Sequence, residues 1–280
     1  MSEFSQGEVR AHWEREAAQH GAELRATTKA STAKRLEVDA LARALHRHGL
    51  GARSKLALLE VGCGNGHNLR ALAEIFPSAL LTGVDYVPAM IAAAEAWRAA
   101  SAHAARIALH VGDVLALERI PALAPRYDAV LTDRCLINLG SSERQQQALL
   151  ALAERLAPGG WLFAIENSRR TFELQNDCRE RVGLPRRTPA AFNHFLEEEQ
   201  LFPAVAHALE LVDAEDFISL HDLALYVLGP AANGGRIDYE SPLVEAATQL
   251  LLSLPDARRR SFGEYGQNRL YALRRHGATA

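Results

Sequence analysis

The 280-residue sequence predicts an α/β protein built on a parallel, doubly wound sheet. Apolar runs alternate with amphipathic stretches from residue 55 to 167, a spacing that indicates βαβ units with right-handed crossovers. Most of the helical stretches are bounded by proline, glycine or capping signals. The first apolar run ends in a turn of closely spaced glycines, "LEVGCGNG".

Residues 7–21 and 33–48 read as amphipathic helices, the second stopped by Gly49 and Gly51, with a polar loop at 26–32 between them. "KLALLEV" is a buried strand, and "HNLRALAEIF" a helix stopped by Pro77. "ALLTGVDY" is the second strand, followed by a helix from Pro88 to about residue 102. "RIALHVGDV" and "YDAVLTDR" are the third and fourth strands. The helix at 141–156 carries Ser142 and Gln145 in capping-box spacing and closes at "APGG", before a fifth strand, "WLFAIEN". After Asn167 the alternation breaks, with a sixth strand expected in "HALELVDAEDF" and a final one in "NRLYALRR". The expected organisation is one domain: 1–50 an N-terminal helical lid, 51–167 the ligand-binding core, 168–205 and 219–262 insertions, and 206–218 and 263–280 closing strands.

Bulk properties narrow the partners. A net charge of -3 provides no field for nucleic acid or an anionic membrane. No run approaches the ~20 apolar residues of a membrane span, and residues 1–10 are polar. Three widely separated cysteines argue against a disulfide framework or zinc site and fit a reducing cytoplasm. The expected partner is a small molecule, and a homodimer is the one assembly left open.

Gly62, Gly64 and Gly66 follow G-x-G-x-G, and His67 stands where a dinucleotide fingerprint needs its third glycine. No Lys-Ser/Thr pair follows, so a P-loop is excluded. Asp85 ends the second strand, nineteen residues after Gly66, where a carboxylate can accept from both ribose hydroxyls; a strand-end turn former is the plainer alternative. Asp113 ends the third strand, where it can read an exocyclic amine. Three successive strand ends so equipped define one crevice at the carboxyl edge of the sheet.

With these motifs the chain resembles the class I (Rossmann-like) S-adenosylmethionine-dependent methyltransferases of small-molecule type. "LEVGCGNG", "GVDYVPAMI" and "GDV" are similar to that family's first three motifs, and "YDAVLTDRCLINL" and "RLAPGGWLFAIEN" to the segments that follow. The resemblance spans about residues 55–167. It implies a seven-stranded, mostly parallel sheet whose last strand runs antiparallel, flanked by N-terminal helices and an inserted helical cap. It implies S-adenosylmethionine as cofactor and S-adenosylhomocysteine as product. Glu60, Gly62, Gly64 and Gly66 would hold the methionine part; Asp85 the ribose, flanked by Tyr86 and Met90; Asp113 and Val114 the adenine; Asp133 and Arg134 the sulfonium region.

A sulfonium is already activated, so the protein mainly orients the acceptor, an effect of up to ~7–11 kcal/mol. A hydroxyl acceptor gains from a general base, for which His194 in "FNHFLEEE" is the candidate; a helix-packing histidine is the alternative. Trp13, Glu166, Asn167 and His221 complete the expected acceptor side. Asp133, Glu166 and Asn167 also stand where catechol-type relatives hold Mg²⁺, but glutamate is longer than the usual aspartate, and no metal is expected. Six arginines between 169 and 187 raise an acidic acceptor. The expected reaction is in-line methyl transfer to an oxygen, hydroxyl or carboxylate. The alternatives are N- or C-methylation, a NAD-dependent oxidoreductase, or a non-catalytic cofactor-binding protein.

Overall fold

The computed structural model describes residues 6–277; the outermost residues of the expected lid and closing strand, 1–5 and 278–280, lie outside the described residues. Seven strands make one sheet: β1 (Leu56–Val61), β2 (Ala79–Asp85), β3 (Ile107–Val111), β4 (Tyr127–Asp133), β5 (Leu156–Asn167), β6 (Leu209–Glu215) and β7 (Asn268–Arg275). Their order is β3-β2-β1-β4-β5-β7-β6. β1 to β5 pair in parallel, and β7 lies antiparallel between β5 and β6. The order reverses between β1 and β4, the switch point where such sheets leave a crevice.

The inner strands are buried on both faces, whereas the edge strands β3 and β6 are partly exposed, and period-2 alternation shares the inner side chains between two cores. Leu58, Leu131 and Phe163 join the core beneath α2 (Ser31–Arg47) and α3 (His67–Ile75). Leu59, Val130 and Leu162 join the core beneath α5 (Ser142–Arg155). Each fully buried side chain of this kind contributes ~1.5–3 kcal/mol. α1 (Gln6–His20) packs against α4 (Pro88–Ala99), with Ala17 and Met90 in a small separate core.

Beyond β5 come α6 (Arg169–Arg181) and α7 (Glu198–Val205). Between β6 and β7 lie α8 (Ser219–Leu223), a π-helical turn (Ala224–Leu228), α9 (Gly229–Ala232), α10 (Pro242–Ser253) and α11 (Asp256–Arg259). α10 packs on α2 and α8, which ties this insertion to the N-terminal helices.

Two local expectations are corrected. The N-cap of α5 is Ser141, whose hydroxyl accepts from the Arg144 amide at 3.3 Å. Gln145 is buried and donates instead to the Leu136 and His194 carbonyls, so no box closes with Ser142. "APGG" does not close the helix either: α5 ends at Arg155 and those residues already belong to β5.

Candidate functional site

The carboxyl ends of β1 to β4 open into a cavity of about 560 Å³. Residues of α1, the 25–30 loop and the 187–195 segment complete its walls. Glu60, Gly62, Gly64, Asp85, Tyr86, Met90, Asp113, Val114, Asp133 and Arg134 all line it. Gly66 does not; it is the N-cap of α3, packed against Trp97.

The glycine turn is shaped by close approach. A Cβ on Gly62 would lie 2.7 Å from both Cβ and Sγ of Cys135, and φ there is +75°. A Cβ on Gly64, at φ +53°, would lie 2.8 Å from the Thr27 methyl of the overlying loop. The Gly64 amide donates to Asp85 Oδ2 at 2.8 Å and the Val87 amide to Oδ1 at 2.9 Å. Each oxygen keeps a lone pair for a ligand. Burial lifts the Asp85 carboxyl to about 6, the two amides pulling the other way. Asp113 caps the turn Val114–Arg119, accepting from the Leu115 amide at 2.9 Å.

Beneath the turn runs a buried polar chain. Asn68 Nδ2 donates to Glu60 Oε1 at 2.7 Å and to Asp133 Oδ2 at 2.9 Å. Lys34 Nζ lies 2.5 Å from Asp133 Oδ2 and 2.6 Å from Glu37 Oε2. Burial alone would raise Asp133, but the charges of Lys34 and Arg134 outweigh it and hold the carboxylate well below its usual range. Burial likewise opposes the Lys34 ammonium, and Asp133 and Glu37 overturn that and raise its pKa. Glu60 has no such cation within bonding reach: burial, with the Asp133 charge nearby, lifts it to about 8. Its Oε2 has no partner, nor do the Tyr86 hydroxyl and the Asn138 and Asn193 Oδ1 atoms, all on cavity-lining residues. Arg134 adopts φ +56°, the left-handed backbone that lets the chain turn sharply off β4.

The acceptor-side expectations divide. Trp13 and Asn167 line the cavity. His194 is not among its lining residues: its Nε2 meets the Ser142 hydroxyl at 3.1 Å and its amide donates to Ile137. Only its neighbours Asn193 and Phe195 face inward. His221 is fully buried between Thr32 Oγ1 (2.9 Å) and Asp222 Oδ1 (2.8 Å), bracing α2 against α8. Glu166 turns into the protein, where the Cys135, Leu136 and Ile137 amides and the Thr132 hydroxyl donate to it. With its oxygens so engaged, the placement expected from Mg²⁺-binding relatives does not arise around it.

The sequence pattern did not single out His12, Lys34, Glu37, Asn68 or Tyr226, all lining the cavity; of the six arginines at 169–187 that raised an acidic acceptor, Arg187 lines it. For Lys34 and Glu37 a signal existed: two charges three residues apart, buried beside Ala33 and Leu36 on the apolar face of α2. Burial lowers the His12 pKa, and its ring meets Trp13 edge-on at 5.0 Å and lies tilted against Phe192 at 4.8 Å.

The chain is similar to known proteins in part of its sequence and in fold. Residues 58–160 match the family model of the methyltransferase domain. Malonyl-[acyl-carrier protein] O-methyltransferase of Bacillus cytotoxicus is 28% identical over 127 residues, 45% of this chain and 41% of that protein. Trans-aconitate 2-methyltransferase of Streptomyces avermitilis is 32% identical over 111 residues, 39% of this chain and 38% of that protein. The match thus spans less than half the length of either curated relative. Among solved structures, magnesium protoporphyrin IX methyltransferase of Synechocystis PCC 6803 with bound SAM has a TM-score of 0.58 at 13% identity, over 96% of both chains. N-methyltransferase NodS of Bradyrhizobium japonicum WM9 has 0.52 at 17%, over 96% of this chain and 98% of its own. At such identities the likeness is one of fold. Among the described residues no helix is long and apolar enough to cross a membrane.

Proposed function

We propose, from the match of residues 58–160 to the methyltransferase-domain model and from the sheet order, that the chain is a class I methyltransferase that transfers the methyl group of S-adenosylmethionine to an oxygen of a small-molecule acceptor. One observation carries the reading: Glu60, the glycine turn, Asp85 and Asp113 line a single cavity in which buried polar atoms lack protein partners.

The residues suit that cofactor. Glu60 Oε2, buried and unpartnered, would accept from the ammonium of the methionine part. The open lone pairs of Asp85 would accept from the ribose hydroxyls, and Asp113 would meet the adenine amine. When bound, the cofactor supplies an electrophilic methyl whose bond to sulfur breaks as the bond to the acceptor oxygen forms, the electron pair passing to sulfur. The chain's residues hold the acceptor in line, and the overlying loop at Thr27 and α1 exclude water. For a hydroxyl acceptor, His12 is the cavity-lining imidazole suited to take the proton, its pKa lowered by burial. A carboxylate acceptor needs no base. Oxygen is favoured by the two curated relatives: one is named an O-methyltransferase and the other acts on trans-aconitate.

The test is thermal stabilisation of the purified chain by S-adenosylmethionine, S-adenosylhomocysteine and NAD, followed by release of S-adenosylhomocysteine in the presence of small hydroxy- and carboxy-compounds. Stabilisation by the first two and acceptor-dependent release are expected. Stabilisation by NAD alone overturns the reading.

A further inference from the structure

The cavity extends past the proposed methyl-donor end towards β5 and β7, and one unspent cation stands there. Of the arginines at 169–187, most are engaged elsewhere. Arg169 faces Glu173, Arg170 pairs with Glu198 and Glu264, and Arg186 holds Glu173, Asp177 and Glu180. Arg179 donates to the Pro185 and Tyr226 carbonyls, and Arg181 is exposed. Arg187 lines the cavity.

Its guanidinium lies 3.5 Å over the Tyr226 ring and 5.5 Å from that of Phe172. Nη1 donates to Gln175 Oε1 at 2.7 Å and Nη2 to Gln267 Oε1 at 3.1 Å. Both acceptors are neutral amides, so the side chain is fixed in place while its charge stays uncompensated and three N–H groups remain free. Tyr226 reaches this position from the π-helical turn, a distortion of the kind that often serves a site. The surrounding wall is aromatic, with Phe172, Phe192, Phe195 and Tyr239.

Resting on the methyltransferase reading, we propose that Arg187 binds a carboxylate of the acceptor as an anchor, and that this carboxylate leaves the reaction unmethylated. A planar fork with free donors matches a carboxylate in two-pronged fashion. A phosphate dianion would leave one charge unmatched in a cavity that Asp222 also lines. A carboxylate whose lone pairs accept from a guanidinium is the weaker nucleophile, so the methyl goes to another oxygen. Arg187 bonds Gln267, the residue before β7, and β7 lies two strand spacings, roughly 10 Å, from β4 in the sheet. The acceptor is therefore a hydroxy acid with an apolar, planar body separating the two oxygen functions.

The probes are 4-hydroxycinnamate and 4-hydroxybenzoate against their neutral amides, titrated into the chain saturated with S-adenosylhomocysteine, with the methylated products of the S-adenosylmethionine reaction identified by mass spectrometry. At least one acid is expected to bind at least tenfold tighter than its amide and to be converted to an ether that keeps its free carboxylate. Arg187→Gln is expected to reduce the preference to within twofold while binding S-adenosylhomocysteine as the parent does, and Arg187→Lys to retain part of it. The proposal is overturned if acid and amide bind alike, if no acid binds the loaded chain, if Arg187→Gln keeps the preference, or if a methyl ester forms. Failure to bind S-adenosylhomocysteine would instead defeat the methyltransferase reading.

Discussion

Lys34 of α2 places its ammonium 2.5 Å from the carboxylate of Asp133 at the end of β4, although the two residues are 99 positions apart. Glu37, one helical turn further on, holds the same ammonium at 2.6 Å and also accepts from Asn268 at 2.8 Å. α2 is thereby fastened to the floor of the cavity by a buried ionic contact.

Removing Lys34 leaves two buried carboxylates with one cation, Arg134, whose Nε lies 3.3 Å from Asp133 and 3.5 Å from Glu37. Lys34→Met is expected to lose ~3–5 kcal/mol of stability in chemical denaturation, because one buried negative charge is then uncompensated. Lys34→Met combined with Asp133→Asn should recover a large part of it. A loss below about 1 kcal/mol for the single variant would show that the pair is not closed in solution.

Asp85 is lifted to about 6 by burial, and on the proposed ribose contact it is expected to set a pH limit on cofactor affinity. Accepting from two hydroxyls favours the ionised form, so affinity for S-adenosylhomocysteine should be full above about pH 6. Below that it should fall by up to tenfold per pH unit. Asp85→Asn should bind weakly, with that step absent. An unchanged affinity in the variant would displace the ribose from this carboxylate.

Glu60, lifted to about 8, is mostly protonated at pH 7 in the free protein. Pairing with an ammonium expels that proton, so calorimetric enthalpies of S-adenosylhomocysteine binding should depend on the buffer, with release approaching one proton. For folding, the sign is opposite to that of a paired carboxylate. The raised pKa contributes stability below the ordinary glutamate range that is lost progressively as pH rises to about 8. Glu60→Gln should therefore raise the Tm of the free protein at pH 8 while abolishing the buffer dependence.

Gly64→Ala meets two penalties at once, the left-handed φ and the Thr27 methyl 2.8 Å away. A stability loss of ~1–3 kcal/mol and weaker cofactor binding are expected. Adding Thr27→Ser removes the methyl and should restore part of both. No restoration would mean that φ strain is the whole effect.

The two candidate bases separate kinetically. His194→Ala should leave turnover within about threefold, since its imidazole serves Ser142 outside the cavity. His12→Ala should lower kcat more than tenfold with a hydroxyl acceptor and remove the acid limb of the pH profile. The reverse ranking would return the role to His194.

The strands, the parallel order of the first five and the glycine turn were legible because each is written locally. β1 to β5 alternate with helices in sequence, and Gly62 and Gly64 announce a backbone that no side chain can crowd. The acceptor side was not legible for the opposite reason. His194 and Arg187 lie seven residues apart in one segment of similar composition, and only the loop's path sends Arg187 into the cavity and His194 to Ser142. Glu166 misled similarly: its strand-end position suggested a ligand, while folding spent its oxygens on three backbone amides.

What the sequence determined by itself is the sheet and the glycine-turn wall of the cavity: period-2 and period-3.6 patterning and a glycine turn are short-range constraints, satisfied within one βα unit. What only the tertiary structure decided is which charges face the cavity. Lys34, Arg187 and Tyr226 come from three distant segments, and whether a charge is spent or available depends on the partners that long-range packing brings within hydrogen-bonding reach.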